Sequence, residues 1–257
     1  MPGEPIVALL GALFGAVLGS FLNVCILRLP AQLSVVTPRS RCPKCGYQLQ
    51  WFDNIPIFSW LMLGGKCRRC RAPISVQYPL IELVTALVWA GFAWWLGPTF
   101  AMVRGALFFT LLLGIAMTDA REYIIPDEFS VGGLVLGLLM ALDGGFQGIG
   151  QALLGAAVGF ALLYAVAVAG KAVFKEEAMG GGDIKMMAMV GAFTGWTGVL
   201  LTIFLGSLLG TLIFVPLHLI GKKKLVPFGV FLALGAAVTY LWGPAIVTWY
   251  KSYVVGL

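Results

Sequence analysis

Met186-Met-Ala-Met-Val-Gly-Ala-Phe-Thr-Gly-Trp-Thr-Gly-Val-Leu-Leu-Thr-Ile-Phe-Leu-Gly-Ser-Leu-Leu-Gly-Thr-Leu-Ile-Phe-Val-Pro-Leu-His-Leu-Ile220 contains no charged residue. A helix rises 1.5 Å per residue and a bilayer's hydrocarbon core is about 30 Å thick, so about 20 mainly apolar residues suffice for one crossing. As a single helix this stretch would reach about 50 Å, far past the bilayer. It therefore reads as two crossings that turn near Gly195-Trp-Thr-Gly198.

The rest of the chain agrees with a lipid-solvated protein. Of 257 residues, 60% are hydrophobic and 11% charged, against about 45–50% and about 25% in globular domains. This composition excludes disorder, collagen and nucleic-acid binding as the main theme. Ile6 to Leu27 is an uncharged first span with Glu4, not a basic segment, before it, so it is expected to be retained and not cleaved as a signal peptide. Pro79 to Leu96, Thr99 to Thr118, Phe129 to Leu142, Gly144 to Gly170 and Pro227 to Tyr250 supply further spans. The turn between the fourth and fifth is expected at Asp143 and the Gly-Gly-Phe-Gln-Gly-Ile-Gly stretch. The fold class is an all-α polytopic membrane protein of about eight helices.

Cytoplasmic loops carry the excess of Lys and Arg, and eight of the 17 basic residues lie between Arg28 and Arg71. Placing that segment inside puts the N-terminus outside. Eight alternating spans then also place Arg121, Lys171, Lys175, Lys185 and Lys222-Lys223-Lys224 inside, leaving Arg104 and Lys251 outside.

Residues 29–78 form a polar insert between the first helix, 1–28, and the remaining membrane domain, 79–257. It holds Cys42-Pro-Lys-Cys45 and Cys67-Arg-Arg-Cys70, with 21 residues between the pairs. Two such turns can present four thiolates to one Zn²⁺ at about 2.3 Å, and a closed four-sulfur site is structural. Disulfides are the alternative, disfavoured on a reducing face, and a domain of about 50 residues with little apolar core needs a staple. The surrounding basic residues either offset the thiolates or meet anionic headgroups. Cys25 reads as a packing residue. His218, the single histidine, reads as structural, and its solitude argues against Ser-His-Asp chemistry.

Asp119 closes the third span and Asp183 opens the sixth, at the same membrane boundary although 64 residues apart. Two carboxyls in one poorly solvated cleft share a proton and can activate water while protonating a leaving group. The alternative reading is a pair of helix-end charges. Gly180 and Gly182 permit close backbone approach or a hinge. Asp127 and Glu128 look like helix-start charges, with Asp127 a runner-up for the dyad. Lys185 either tunes a carboxylate or snorkels.

The chain resembles the bacterial type IV prepilin peptidase family across nearly its whole length. The resemblance rests on Ser20-Phe-Leu-Asn-Val-Cys-Ile-Leu-Arg-Leu-Pro30, Arg41-Cys-Pro-Lys-Cys45, Asn54-Ile-Pro, Ser59-Trp-Leu, Gly65-Lys-Cys-Arg-Arg-Cys70 and Ile74-Ser-Val-Gln-Tyr-Pro-Leu-Ile-Glu82. It continues through Asp119 to Asp127, Gly180-Gly-Gly-Asp-Ile-Lys185 and Pro227-Phe-Gly-Val-Phe-Leu. Cys25 and Gln77 depart from the aliphatic residue and Arg expected there. The resemblance implies an inner-membrane aspartyl peptidase that removes the basic leader of prepilins and type II secretion pseudopilins after a glycine, with Asp119 and Asp183 in the catalytic positions. Glu122, Asp127, Glu128, Glu176 and Glu177 either attract that leader or are solvated loop charges. The resemblance also implies N-methylation of the new terminus with S-adenosylmethionine. No glycine-rich dinucleotide turn marks that cofactor's site; Glu82 and Asp53 are candidates to hold its sulfonium or the amine. Competing expectations are a peptidase whose zinc domain is only structural, a transporter, or a non-enzymatic scaffold. Oligomeric state is not legible.

Overall fold

A computed structural model describes residues 3–175, 179–219 and 227–255, which are organised as helices joined by turns, with no strand among them. The side chain of His218, together with Glu176, Glu177 and Lys222–Lys224, lies outside the described residues. The chain divides into two compact units, residues 1–110 and 111–257.

In the first unit, α1 (Pro5–Arg28) packs on α3 (Gln77–Leu96). Lipid offers no hydrophobic reason for two apolar helices to associate, so close backbone packing must supply it. Gly11, Gly15 and Gly19 form that contact: a Cβ on Gly15 would lie 2.7 Å from the Thr85 carbonyl, and one on Gly19 would lie 2.7 Å from the Glu82 Cα. The other face of α1 exposes Ile6, Leu9, Leu10, Leu13, Phe14 and Val17. Between the two helices lies the insert, with a 3₁₀ turn at Trp51–Asn54 and a short α2 (Phe58–Met62). Arg28, in the last turn of α1, donates to the Ser34 and Pro38 carbonyls at 2.8 and 2.7 Å and so fixes how the insert leaves the helix.

α4 (Phe100–Glu122) has residues in both units. The second unit continues with α5 (Asp127–Met140), α6 (Gly145–Phe174), α7 (Gly181–Leu219) and α8 (Phe228–Tyr250), and α7 packs against α5, α6 and α8. The turn between α5 and α6 is tighter than the glycine run suggested: a 3₁₀ turn at Ala141–Gly144 and Gly145 at φ 60° complete it, and Phe146 to Gly150 are already helical. The charge-free stretch is broken at Gly195 alone, where φ 72° and ψ 177° are open only to glycine.

Among the described residues six stretches are long and apolar enough to cross a membrane, which does not confirm the expected eight. Two of them, Asp127–Val173 and Gly181–Leu217, contain these interruptions. Each of the two is counted once although, at 47 and 37 residues, it is long enough to hold two helical arms; α5, with 14 residues, extends about 21 Å and is the short arm of the first.

Candidate functional site

The carboxylates at the ends of α4 and α7 lie in the second unit. Asp119 is one turn from the end of α4 and is 6% exposed. Its Oδ2 accepts the Val230 N–H at 3.2 Å, and the Gly229 amide also donates to this carboxylate. Pro227 precedes the first turn of α8, so unpaired N–H groups of a helix start face a buried acid. Gly229 is required there, because a Cβ would stand 2.9 Å from Asp119 Oδ2 and 2.8 Å from Ile125 Cδ1.

Asp183 sits in the first turn of α7, where the Gly180 amide donates to its carboxylate. The two acids are near enough for the charge of Asp119 to act on Asp183, and Asp183 Oδ1 is buried without a hydrogen-bond partner. Gly180 and Gly182 leave room around the pair: a Cβ on Gly180 would come 3.3 Å from Asp183 Oδ2, and one on Gly182 would come 2.9 Å from the Ile125 Cβ. Lys185 does not serve the pair directly. Its Nζ is bidentate to Asp127 at 2.7 and 2.9 Å, tying the start of α5 to the first turns of α7. Both partners are largely exposed, so Asp127→Asn is expected to cost less than about 1 kcal/mol of stability, measured by thermal unfolding.

The four insert cysteines converge. Each pair sits on a small hairpin, the first closed by the Arg41–Gln48 bridge and the second by Lys66–Pro73. In each, the first cysteine's N–H bonds the carbonyl five residues on, Cys42 to Tyr47 and Cys67 to Ala72, both at 2.8 Å. Gly46 and Arg71 occupy the same left-handed corner, φ 68° and 58°. All four sulfurs lie within 4.8 Å of one another, with Cys42 to Cys70 at 3.8 Å and Cys45 to Cys67 at 4.0 Å. A tetrahedral ion bound at about 2.3 Å needs sulfurs about 3.8 Å apart, so the donors fit a metal. Backbone N–H groups of Cys45 and Lys44 lower the Cys42 thiol to about 6. The Ala72 amide lowers Cys70 as well, but desolvation and the neighbouring thiols prevail and raise it to about 11.

Asp53 braces this module. Its carboxylate, 3% exposed, pairs with Arg68 Nε at 2.7 Å and accepts from the Tyr47 hydroxyl and the Gln50 N–H, each at 3.1 Å. Arg68 also lies over the Phe52 ring at 5.0 Å. Burial pushes the Asp53 carboxyl up, yet Arg68, the Gln50 amide and Tyr47 together hold it below its ordinary value. Its contribution to stability is therefore complete above about pH 4 and is lost as pH falls through the lowered folded value. Asp53→Asn is expected to speed loss of metal to a chelator at neutral pH; unchanged release would show that the pair does not hold the hairpins. Glu82 lies elsewhere, buried on α3, with the Ile57 N–H at 2.7 Å.

Gly229 and the Val230 amide are the site components that charge and spacing did not single out. The Pro227-Phe-Gly segment was their only sequence signal, and it named no role.

A chain of apolar helices with two acids meeting at helix ends in one unit, and a four-thiol module in the other, belongs to the class of multi-pass membrane proteins with an internal acidic centre. Residues 13–96 match the bacterial peptidase A24 N-terminal domain and residues 106–215 the type IV leader peptidase family. The prepilin leader peptidase/N-methyltransferase of Aeromonas hydrophila is 36% identical over 267 residues, covering 93% of this chain and 92% of that protein. The protein of that name from Pseudomonas aeruginosa is 36% identical over 267 residues, covering 94% and 92%. No solved structure matches. The chain belongs to the type IV leader peptidase family.

Proposed function

We propose that this chain is an inner-membrane aspartic endopeptidase that cuts the basic leader from type IV prepilins, and from type II secretion pseudopilins, after a glycine, and then methylates the new N-terminus. Asp119 and Asp183 are its catalytic pair. The supporting observation is that helix ends bring a buried, backbone-held carboxylate within electrostatic reach of a second whose Oδ1 has no partner. In such a pair one carboxylate takes a proton from water as the water oxygen attacks the scissile carbonyl. The other carboxyl gives its proton to the departing nitrogen as the C–N bond breaks. Gly180 and Gly182 admit the substrate backbone, and Lys185 with Asp127 braces the loop. With the basic loops inside and the N-terminus outside, a substrate with a basic leader and a membrane helix presents its junction at the same cytoplasmic boundary.

Residues 29–78 are the methyltransferase part, stapled by structural Zn²⁺ on Cys42, Cys45, Cys67 and Cys70, and residues 79–257 carry the peptidase. S-adenosylmethionine supplies the methyl group when bound. Of the two acids considered for a cationic group, Asp53 is already engaged by three donors, whereas Glu82 retains acceptor capacity.

Mass spectrometry of a membrane-embedded prepilin incubated with the purified protein and S-adenosylmethionine tests this. Cleavage after the leader glycine with one methyl on the new terminus is expected. Cleavage without methylation would confine the chain to peptidase work, and no cleavage of several clients would sink the proposal. Metal analysis is expected to find one Zn²⁺ per chain, lost in Cys42→Ser. Full retention in that variant would remove the four-thiolate assignment.

A further inference from the structure

The first unit holds a second buried acidic centre that the aspartate pair does not use. Glu82, in the second turn of α3, is 7% exposed; its Oε2 accepts the Ile57 N–H at 2.7 Å, and the Ser20 hydroxyl is its other partner. No Lys or Arg pairs with it among the described residues. A carboxylate has about four acceptor positions, so about half of this one's capacity is unused. From the facing helix comes Asn23, 1% exposed, whose Nδ2 donates to the Gly19 carbonyl at 3.2 Å and the Tyr78 carbonyl at 3.0 Å. Both partners are acceptors, so the amide has one workable orientation, and it leaves Oδ1 buried with no donor. Gly19 stands level with Glu82, and Asn23, one turn further along α1, stands level with Tyr78, one turn from Glu82 on α3, so the two side chains occupy adjacent turns of the helix pair.

The turn that caps Glu82 is itself strained. Ile57 has φ 62° and ψ −53°, and the Phe58 N–H reaches the Pro56 carbonyl at 2.5 Å. That is a left-handed γ-turn, rare at any residue and least favourable at a β-branched one. The donor now satisfying Glu82 is thus held in a conformation that its own backbone resists.

A buried acceptor left without a donor costs free energy, so a ligand that brings donors to it gains by binding there. We propose that Glu82 and Asn23 receive the N-terminal α-ammonium of the processed substrate chain and position it for methylation: Glu82 takes one of its protons, the freed nitrogen lone pair bonds the methyl carbon, and the S–CH₃ bond of the S-adenosylmethionine sulfonium breaks to leave a neutral thioether. This rests on the N-methyltransferase reading. An ammonium brings three N–H donors, which the free lone pairs of Glu82 and Asn23 Oδ1 can accept together. A sulfonium has no donor and would leave Asn23 Oδ1 unsatisfied, so the amine is the better occupant. Glu82 also lies near the start of an apolar span, Gln77–Leu96, and the new N-terminus of a processed membrane helix is likewise the start of one.

The test uses the full chain in detergent and two synthetic peptides of a mature pilin-type N-terminus, one with a free amine and one N-acetylated, with binding read by fluorescence anisotropy. Wild type is expected to prefer the free amine by about tenfold or more. Glu82→Gln, whose amide oxygen can still accept the Ile57 N–H, is expected to abolish that preference while keeping the wild-type melting temperature. Equal affinity of wild type for both peptides would overturn the proposal whatever the variant does, as would an undiminished preference in folded Glu82→Gln. A wild-type protein that cleaves and methylates prepilin yet does not distinguish the peptides would reject this site alone. Absence of methylation would instead reject the reading beneath it.

Discussion

Asp119→Asn and Asp183→Asn are each expected to reduce prepilin cleavage by about 10³-fold or more, because removing either member leaves no group to exchange the shared proton. Asparagine nearly preserves the shape of aspartate, and in Asp119→Asn the side-chain oxygen can still accept from the Val230 and Gly229 amides. Stability should therefore stay near wild type, which separates loss of chemistry from loss of fold. The two substitutions should also fail to add: the double variant is expected to be no slower than the worse single one, since the pair acts as a unit. Cleavage is read by mass spectrometry and folding by thermal unfolding. Substantial turnover in either variant would remove that residue from the chemistry and leave the acids as helix-end charges.

Gly191→Val is expected to destabilise the second unit by about 3 kcal/mol or more, seen as a large fall in melting temperature or failure to accumulate in the membrane. A Cβ on Gly191 would overlap the Gly155 carbonyl, one on Gly155 would overlap the Gly191 carbonyl, and one on Gly159 would overlap the Met187 carbonyl. These obstacles are backbone atoms, which cannot swing aside as a side chain can. Separating α6 from α7 would also shift the helix that carries Asp183. Gly132→Ala supplies the control: it is helical and a Cβ there meets nothing within 4 Å, so alanine is expected to be neutral or to stabilise by about 0.5–1 kcal/mol. A Gly191→Val protein as stable as wild type would mean that the α6–α7 contact is looser than drawn.

The contrast between these glycines explains what was and was not legible. Gly132 and Gly191 are both glycines in apolar helical stretches, and nothing in the chain's local pattern says that one faces open space and the other a neighbouring carbonyl. The same holds for Lys185, which charge alone left between tuning a carboxylate and snorkelling; its partner is Asp127 from another helix. Asp53 and Glu82 were equivalent candidates as isolated acids, yet one is enclosed by Arg68, Tyr47 and Gln50 and the other rests under a strained turn. The break at Gly195 was foreseen to within a few residues because an uninterrupted helix would outrun the bilayer. The turn at Ala141–Gly145 was placed too broadly, because one left-handed glycine suffices and the glycines after it join the helix.

The amino-acid sequence by itself determined the membrane class, the helical repertoire, the four-thiol module and the two acids worth watching. These follow from quantities local to the chain: transfer of apolar residues into lipid, the paired spacing of cysteines, and the rarity of carboxylates in apolar surroundings. Only the tertiary structure decided that Gly229 and Val230 cradle Asp119, that Asp183 keeps an unpartnered oxygen, and that Asn23 points an empty acceptor into the helix pair with Glu82. Each of those depends on which atoms approach from distant parts of the chain. Hydrogen-bond satisfaction is a property of that meeting, and no residue carries it alone.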